Sequence, residues 1–205
     1  PLESRWVSAE MIRDGTLLAC AEMLLAGITT FNDMYFFPEA AADAVDQAGI
    51  RASLGILAFD VASAYGRDAD DYLNKGLAVR DALRDHPRLS FMLAPHAPYT
   101  VSDATFERVT TLAAQTNLGI HIHVHETQNE VEQSLQQYGE RPIDRLERLG
   151  ILGPQTLAVH AVALDDSDIA TLARHNTHVA HCPTANLKLA SGIARAADLQ
   201  TAGIN

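Results

Sequence analysis

The sequence predicts an α/β protein of the (β/α)8 barrel type, of which the chain covers about six βα units. Three observations carry that expectation. Short apolar or β-branched runs alternate with amphipathic stretches along the whole chain, as repeated βα units with a parallel sheet require. The glycine-rich GxGxxG turn of a dinucleotide-binding doubly wound sheet is absent. Each apolar run ends in polar, reactive side chains, and barrel enzymes gather their chemistry at the C-terminal ends of several strands. Six units in 205 residues is about 34 residues each, so eight would need roughly 270, near the usual size of this fold. The spacing therefore predicts one domain, residues 1–205, lacking its first and last strands, within a longer protein.

The strand expectations, in order, are residues 28–34, 52–59, 89–94, 118–124, 157–162 and 178–182. Helices are expected over 9–25, 38–47, 70–84, 102–115, 127–149 and 165–175. Gly27, Gly49, Gly150 and Gly153 fall where helices should stop. Ser102 before Asp103, and Asp165 before Asp166, read as helix N-termini. The chain stops at residues 202–205, where a further β run is about to begin.

Composition excludes several classes. With 47% hydrophobic residues the chain can bury a core, so disorder is excluded. No apolar run reaches ~18 residues, because Glu22 interrupts the stretch around Leu17–Leu25, so no membrane span is expected. The 26 acidic against 15 basic residues, net −11, leave no basic stripe for phosphates, so nucleic acid is not an expected partner. Cys20 and Cys182 form no CxxC pair and no disulfide framework, which suits a reducing cytosol. No signal peptide is visible, and a cytoplasmic location is expected.

Nine histidines in so acidic a chain exceed what packing needs. The densest cluster is His121-Ile-His123-Val-His125-Glu126-Thr127. Period-2 alternation puts His121, His123 and His125 on one strand face. A neutral imidazole at a strand end is a natural zinc ligand, and a catalytic zinc keeps one position open for water. Glu126, just past the strand, could take a proton from that water and hand it to a leaving group. The alternative is a polar strand edge with exposed imidazoles. His160 ends the buried run Leu157-Ala158-Val159, either as a hydrogen-bonded structural residue or as a site residue beside its neighbour strand. His96, between Pro95 and Pro98, sits in a stiffened loop and points at a ligand or caps the next helix.

Other candidates read more plainly. His181 and Asn186 are expected to fix a loop, with a functional role as the alternative. Cys182 has no second thiol nearby, against a zinc–thiolate site. Asp33 and Asp60 at strand ends either contact substrate or cap the following helices, and capping is the expectation. Asp68, Asp70, Asp71, Glu130 and Glu132 are expected to be solvated residues at helix starts.

With these residues in hand, the sequence resembles the amidohydrolase superfamily, and within it the 5-methylthioadenosine/S-adenosylhomocysteine deaminases and their chlorohydrolase relatives. The matching stretches are Pro1-Leu2-Glu3, Gly15-Thr16-Leu17-Leu18, Ala21-Glu22-Met23-Leu24, Thr30-Phe31-Asn32-Asp33-Met34-Tyr35-Phe36 and Ala94-Pro95-His96-Ala97-Pro98-Tyr99. They continue through His123-Val124-His125-Glu126-Thr127, His160, and the stretch from His181-Cys182-Pro183-Thr184 to Asn186-Leu187-Lys188-Leu189.

The resemblance implies that His123 is a metal ligand and Glu126 the proton shuttle that also touches the purine. It implies that His160 assists at the reactive water and that His96 and Glu3 bind substrate, Glu3 at the ribose hydroxyls. Arg67 is the local candidate for an amino-acid tail. The family's His-x-His pair and its last Asp lie outside the chain. Dinuclear members bridge their metals with a modified Lys at the end of the fourth strand. Here that place is held by His96, while Lys75 and Lys188 lie elsewhere, so a mononuclear deaminase-like site is implied.

The implied cofactor is one divalent ion, zinc, with iron, manganese or nickel as substitutes, and the implied partner is a small-molecule nucleoside. A homo-oligomer is expected. A triazine-type chlorohydrolase or guanine deaminase would use the same apparatus. A non-catalytic nucleoside-binding barrel is the competing class. Nucleobase deaminases of the PCxxC type are excluded, because that motif is missing.

Overall fold

The structure, a computed structural model, describes residues 3–205, with side chains from Arg5 onward. It divides into two compact units, residues 1–94 and 95–205.

The first unit holds α1 (Glu3–Trp6), α2 (Ala9–Leu25), β1 (Thr30–Asp33), α3 (Pro38–Ala48), β2 (Arg51–Ala58), α4 (Ala69–Leu83) and β3 (Leu89–Pro95), whose last residue begins the second unit. β1 pairs in parallel with β2, Thr30 opposite Arg51 through Asp33 opposite Leu54. β3 lies against β2, where the Ala52 N–H donates to the Arg88 carbonyl at 3.0 Å. β2 is buried along nearly its whole length, as expected of a parallel strand covered on both faces. Gly76 lets α4 come close: a Cβ there would lie 2.7 Å from Ile56 Cγ2.

The second unit holds α5 (Asp103–Thr116), β4 (Ile120–Val124), α6 (Gln128–Tyr138), α7 (Pro142–Arg148), β5 (Thr156–His160), α8 (Asp166–Arg174), β6 (His178–Ala180), α9 (Pro183–Lys188) and α10 (Ala196–Thr201). β4 takes its place beside the end of β3, the His123 N–H donating to the His96 carbonyl at 3.1 Å. β4 then pairs in parallel with β5, and β5 with β6. Within each unit the strands thus follow one another in chain order. The Asn205 carbonyl accepts from the Val179 N–H of β6 at 2.8 Å.

Helix starts follow local chemistry. Ser102 accepts from the Thr105 N–H, and Asp165 and Asp168 form a reciprocal capping box. Two expectations fail here. α3 begins at Phe37, which makes no side-chain cap bond, with Pro38 at its first position, and α4 is capped by Asp68. Neither Asp33 nor Asp60 is therefore the N-cap of the helix that follows it. The helix expected over 127–149 is two helices. Gly139 ends α6 with φ +74°, and Pro142 opens α7, an arrangement that glycine permits and proline prefers. Among the described residues no helix is long and apolar enough to cross a membrane.

Candidate active site

The site residues of the second unit stand at the C-terminal ends of β3, β4, β5 and β6. The His123 ring lies 5.2 Å from His96 and 5.4 Å from His160, centroid to centroid. One carbonyl orders it: the His96 oxygen accepts both the His123 N–H and its ring Nδ1–H, the latter at 3.0 Å. A carbonyl can only accept, so Nδ1 carries the hydrogen and the lone pair lies on Nε2. That is the tautomer a metal-binding imidazole needs. Burial, and next the charge of His160, hold the His123 pKa below its ordinary value.

His121 lies one pleat back on the same face, its ring 6.0 Å from His123. Burial, with His123 and His160 nearby, pushes it down to about 4. His125 does not join them. β4 ends at Val124, and His125 turns into the left-handed region at φ +52°, so the alternation that would align a third imidazole is lost. Its buried ring donates from Nδ1 to the Ala163 carbonyl at 3.0 Å and accepts the Ile143 N–H on Nε2 at 3.2 Å. Both ring nitrogens are spent on structure. Arg141 and buried Asp168 complete that network.

Glu126 follows the turn. Its Oε2 lies 3.7 Å from His160 Nε2, and its Oε1 accepts from the Ser191 hydroxyl at 3.3 Å. The turn itself is gripped by Glu130, whose Oε1 and Oε2 accept the His125 and Glu126 N–H groups, each at 2.9 Å. Glu130 is buried, not solvated as its place at a helix start suggested, and burial raises its pKa to about 7. Its spacing from Thr127 is that of a capping box, a signal that could have singled it out.

His160, at φ +76°, ends β5. Its Nδ1 lies 2.8 Å from Oδ1 of Asn186, which is fully buried. His181 is exposed, and the Cys182 thiol faces the Ala180 carbonyl at 3.7 Å. His96 donates from Nδ1 to Thr100 Oγ1 at 2.7 Å, since the hydroxyl's hydrogen goes to the Ala97 carbonyl. Arg145 holds the loop beyond it. Fully buried, it donates to the carbonyls of Pro98 and Val101 and to Asp103, and its guanidinium stacks 3.9 Å over the Tyr138 ring. No local pattern marks it.

In the first unit, burial raises Asp33 to about 6. Arg67 is exposed and pairs with Asp71. Glu3 opens α1, but its side chain lies outside the described residues. Among the described residues no group of three or more His, Cys, Asp or Glu side chains is arranged to hold a metal ion.

The Amidohydrolase family model matches residues 1–205. A 5-methylthioadenosine/S-adenosylhomocysteine deaminase of Teredinibacter turnerae is 48% identical over 205 residues, 100% of this chain and 46% of that protein. A crystal structure of an adenosine deaminase from Xanthomonas campestris with bound zinc matches with a TM-score of 0.96 at 44% identity, covering 100% of this chain and 46% of that one. A zinc-complexed atrazine chlorohydrolase from Arthrobacter aurescens matches with a TM-score of 0.88 at 22% identity, over 96% of this chain and 48% of that one, a likeness of fold. The chain thus spans about half the length of the curated relatives it matches. Its fold is a partial (β/α)8 barrel, as the alternation and the strand-end chemistry predicted, and the chain belongs to the amidohydrolase family.

Proposed function

We propose that this chain carries the proton-handling part of a hydrolytic deaminase that releases ammonia from the adenine ring of an adenosine thioether, 5-methylthioadenosine or S-adenosylhomocysteine. The supporting observation is the pairing of Glu126 Oε2 with His160 Nε2 at 3.7 Å, beside an imidazole, His123, whose Nδ1–H is fixed on the His96 carbonyl. The first relatives bear that deaminase name, and a matched solved structure holds zinc.

His123, neutral and with its Nε2 lone pair oriented by that carbonyl, fits a divalent metal, here zinc, with further ligands from outside the described residues. When bound, the ion lowers the pKa of a coordinated water toward neutrality. Glu126 accepts a proton from the attacking water and delivers it to the departing amino group. Water and the aminopurine thus become the oxo-purine and ammonia. His160 holds the second side of the reacting oxygen. His96 binds the purine, and Glu3 the ribose hydroxyls.

The test is Glu126→Gln in the full-length protein, assayed for ammonia from both thioethers and for chloride from a chlorotriazine. The expected result is ammonia release by the wild type, a loss of about 10³-fold in the variant, within the range a positioned general acid–base supplies, and about one metal ion per chain in both. Chloride without ammonia would replace the deaminase reading with a chlorohydrolase. A wild type with neither activity and no metal would leave a binding protein.

A further inference from the structure

We propose that the segment from Pro183 to Ser191 is a positioning bracket, in which Asn186 holds His160 and Ser191 holds Glu126. The proposal deepens the deaminase reading and rests on it for its kinetic part. The two side chains come from one short turn. The Asn186 N–H donates to the Cys182 carbonyl at 2.9 Å, and the Asn186 carbonyl accepts the Ser191 N–H at 2.8 Å. Between them Ala190 sits in the left-handed region at φ +57°, and Gly192 follows at φ +120°. That path brings the Ser191 hydroxyl to Glu126 Oε1 while Asn186 stays beneath His160.

The bond from Asn186 decides which nitrogen of His160 faces the chemistry. An amide oxygen accepts, so Nδ1 carries the hydrogen, and the Nε2 lone pair is turned toward Glu126 Oε2. Two acceptors 3.7 Å apart can both be reached by one water set to the side of the line that joins them. An aspartate in this place would favour the charged imidazolium; an asparagine fixes the tautomer without adding charge.

Packing alone does not explain an asparagine here. Its side chain is fully buried, and Nδ2 has no partner among the described residues. A buried donor left unpaired is costly, and an apolar residue of similar volume would avoid that cost. The single bond to His160 is what the residue contributes. Asn186 and Ser191 are therefore positioning residues, since each acts through the side chain it holds.

The test uses the full-length protein with Asn186→Leu, Asn186→Asp and Ser191→Ala. The variants are read by kcat and KM for 5-methylthioadenosine, metal content, Tm, and ¹⁵N resonances of selectively labelled histidine. Asn186→Leu is expected to lower kcat about 10–100-fold, with KM within twofold, metal content unchanged and Tm equal or higher. Asn186→Asp, which keeps an acceptor for Nδ1–H, recovers part of that loss. Ser191→Ala costs a few fold in kcat. In the ¹⁵N spectrum the wild-type His160 is protonated at Nδ1, and Asn186→Leu gives a mixture of tautomers.

A kcat loss that only tracks a fall in Tm or metal content would overturn the proposal. So would a His160 tautomer unchanged by Asn186→Leu. If the wild type deaminates nothing, the deaminase reading fails, while the ¹⁵N result still decides whether Asn186 sets His160.

Discussion

The carbonyl oxygen of His96 accepts two hydrogen bonds from His123, one from the backbone N–H at 3.1 Å and one from ring Nδ1 at 3.0 Å. The bond that seats β4 beside the end of β3 and the bond that selects the imidazole tautomer share one acceptor. The strand pairing and the proposed ligand geometry are therefore a single arrangement, and a distortion of the Pro95-His96 loop reaches both.

That sharing gives a prediction for His123→Asn. The shorter side chain keeps the backbone bond to His96 and removes the imidazole. Metal content of the full-length protein should fall by at least about tenfold. The Tm in the presence of a chelator should stay near that of the chelated wild type, because β4 keeps its pairing. Metal analysis and a melting curve read the two effects. Undiminished metal would remove His123 from the ligand set.

Glu130 gives a pH prediction. Its carboxyl, at an ordinary 4.5 when exposed, is raised to about 7 by burial, which outweighs the two N–H groups that favour the charged form. A folded-state pKa above the unfolded value means that the folded chain binds more protons in between. Stability from this group is therefore greatest below pH 4.5 and declines as pH rises to about 7. The full effect is roughly 3 kcal/mol. Glu130→Gln cannot ionise and should flatten the denaturation free energy across that window. It also sets an NH2 group against one of the two N–H donors, so activity should fall several-fold. Parallel pH–stability slopes for wild type and variant would refute the assignment.

Much of this site is legible in the sequence, and the rest is not, for identifiable reasons. His96, His123, Glu126 and His160 are visible because strand ends are where a barrel exposes polar groups, and each follows an apolar run. His125 misleads because period-2 alternation holds only while the strand lasts, and the backbone leaves it at φ +52°. Asn186 and Ser191 act across 26 and 65 residues of chain, separations no local pattern encodes. α9 and α10, six residues each, are too short to show a helical period. Gly139 and Pro142 did mark the break inside 127–149, but the apolar spacing on either side is continuous enough to conceal it.

Arg145 supplies the next prediction. It sits on α7 and meets two carbonyls in the loop that follows His96, and Asp103 at the start of α5. Arg145→Met keeps much of the stem volume but leaves the two carbonyls without this donor and Asp103 with Arg148 alone. Leaving a buried acceptor without its donor costs about 1–3 kcal/mol. The variant should lose that much in denaturant unfolding. Any folded fraction should show a raised KM before a lowered kcat, because His96 is proposed to bind substrate. A Tm within two degrees of wild type would contradict the role given to Arg145.

Gly76 tests packing at a distance from the chemistry. A Cβ there meets Ile56 Cγ2 at 2.7 Å and the Ile56 Cα at 3.2 Å. The first neighbour is a branched side chain with one favoured χ1 and the second is backbone, so neither yields cheaply. Gly76→Ala gains helix propensity of about 1 kcal/mol but overpacks the α4–β2 contact, which costs about 1–3 kcal/mol. The net expectation is a loss of stability, with kcat of the folded protein unchanged, since His123, Glu126 and His160 lie on other elements. The double variant with Ile56→Leu should recover part of the loss, because leucine is unbranched at Cβ and lacks the clashing Cγ2 methyl, while the Cα approach remains. If Gly76→Ala alone is as stable as wild type, α4 moves outward freely and the close approach is not required.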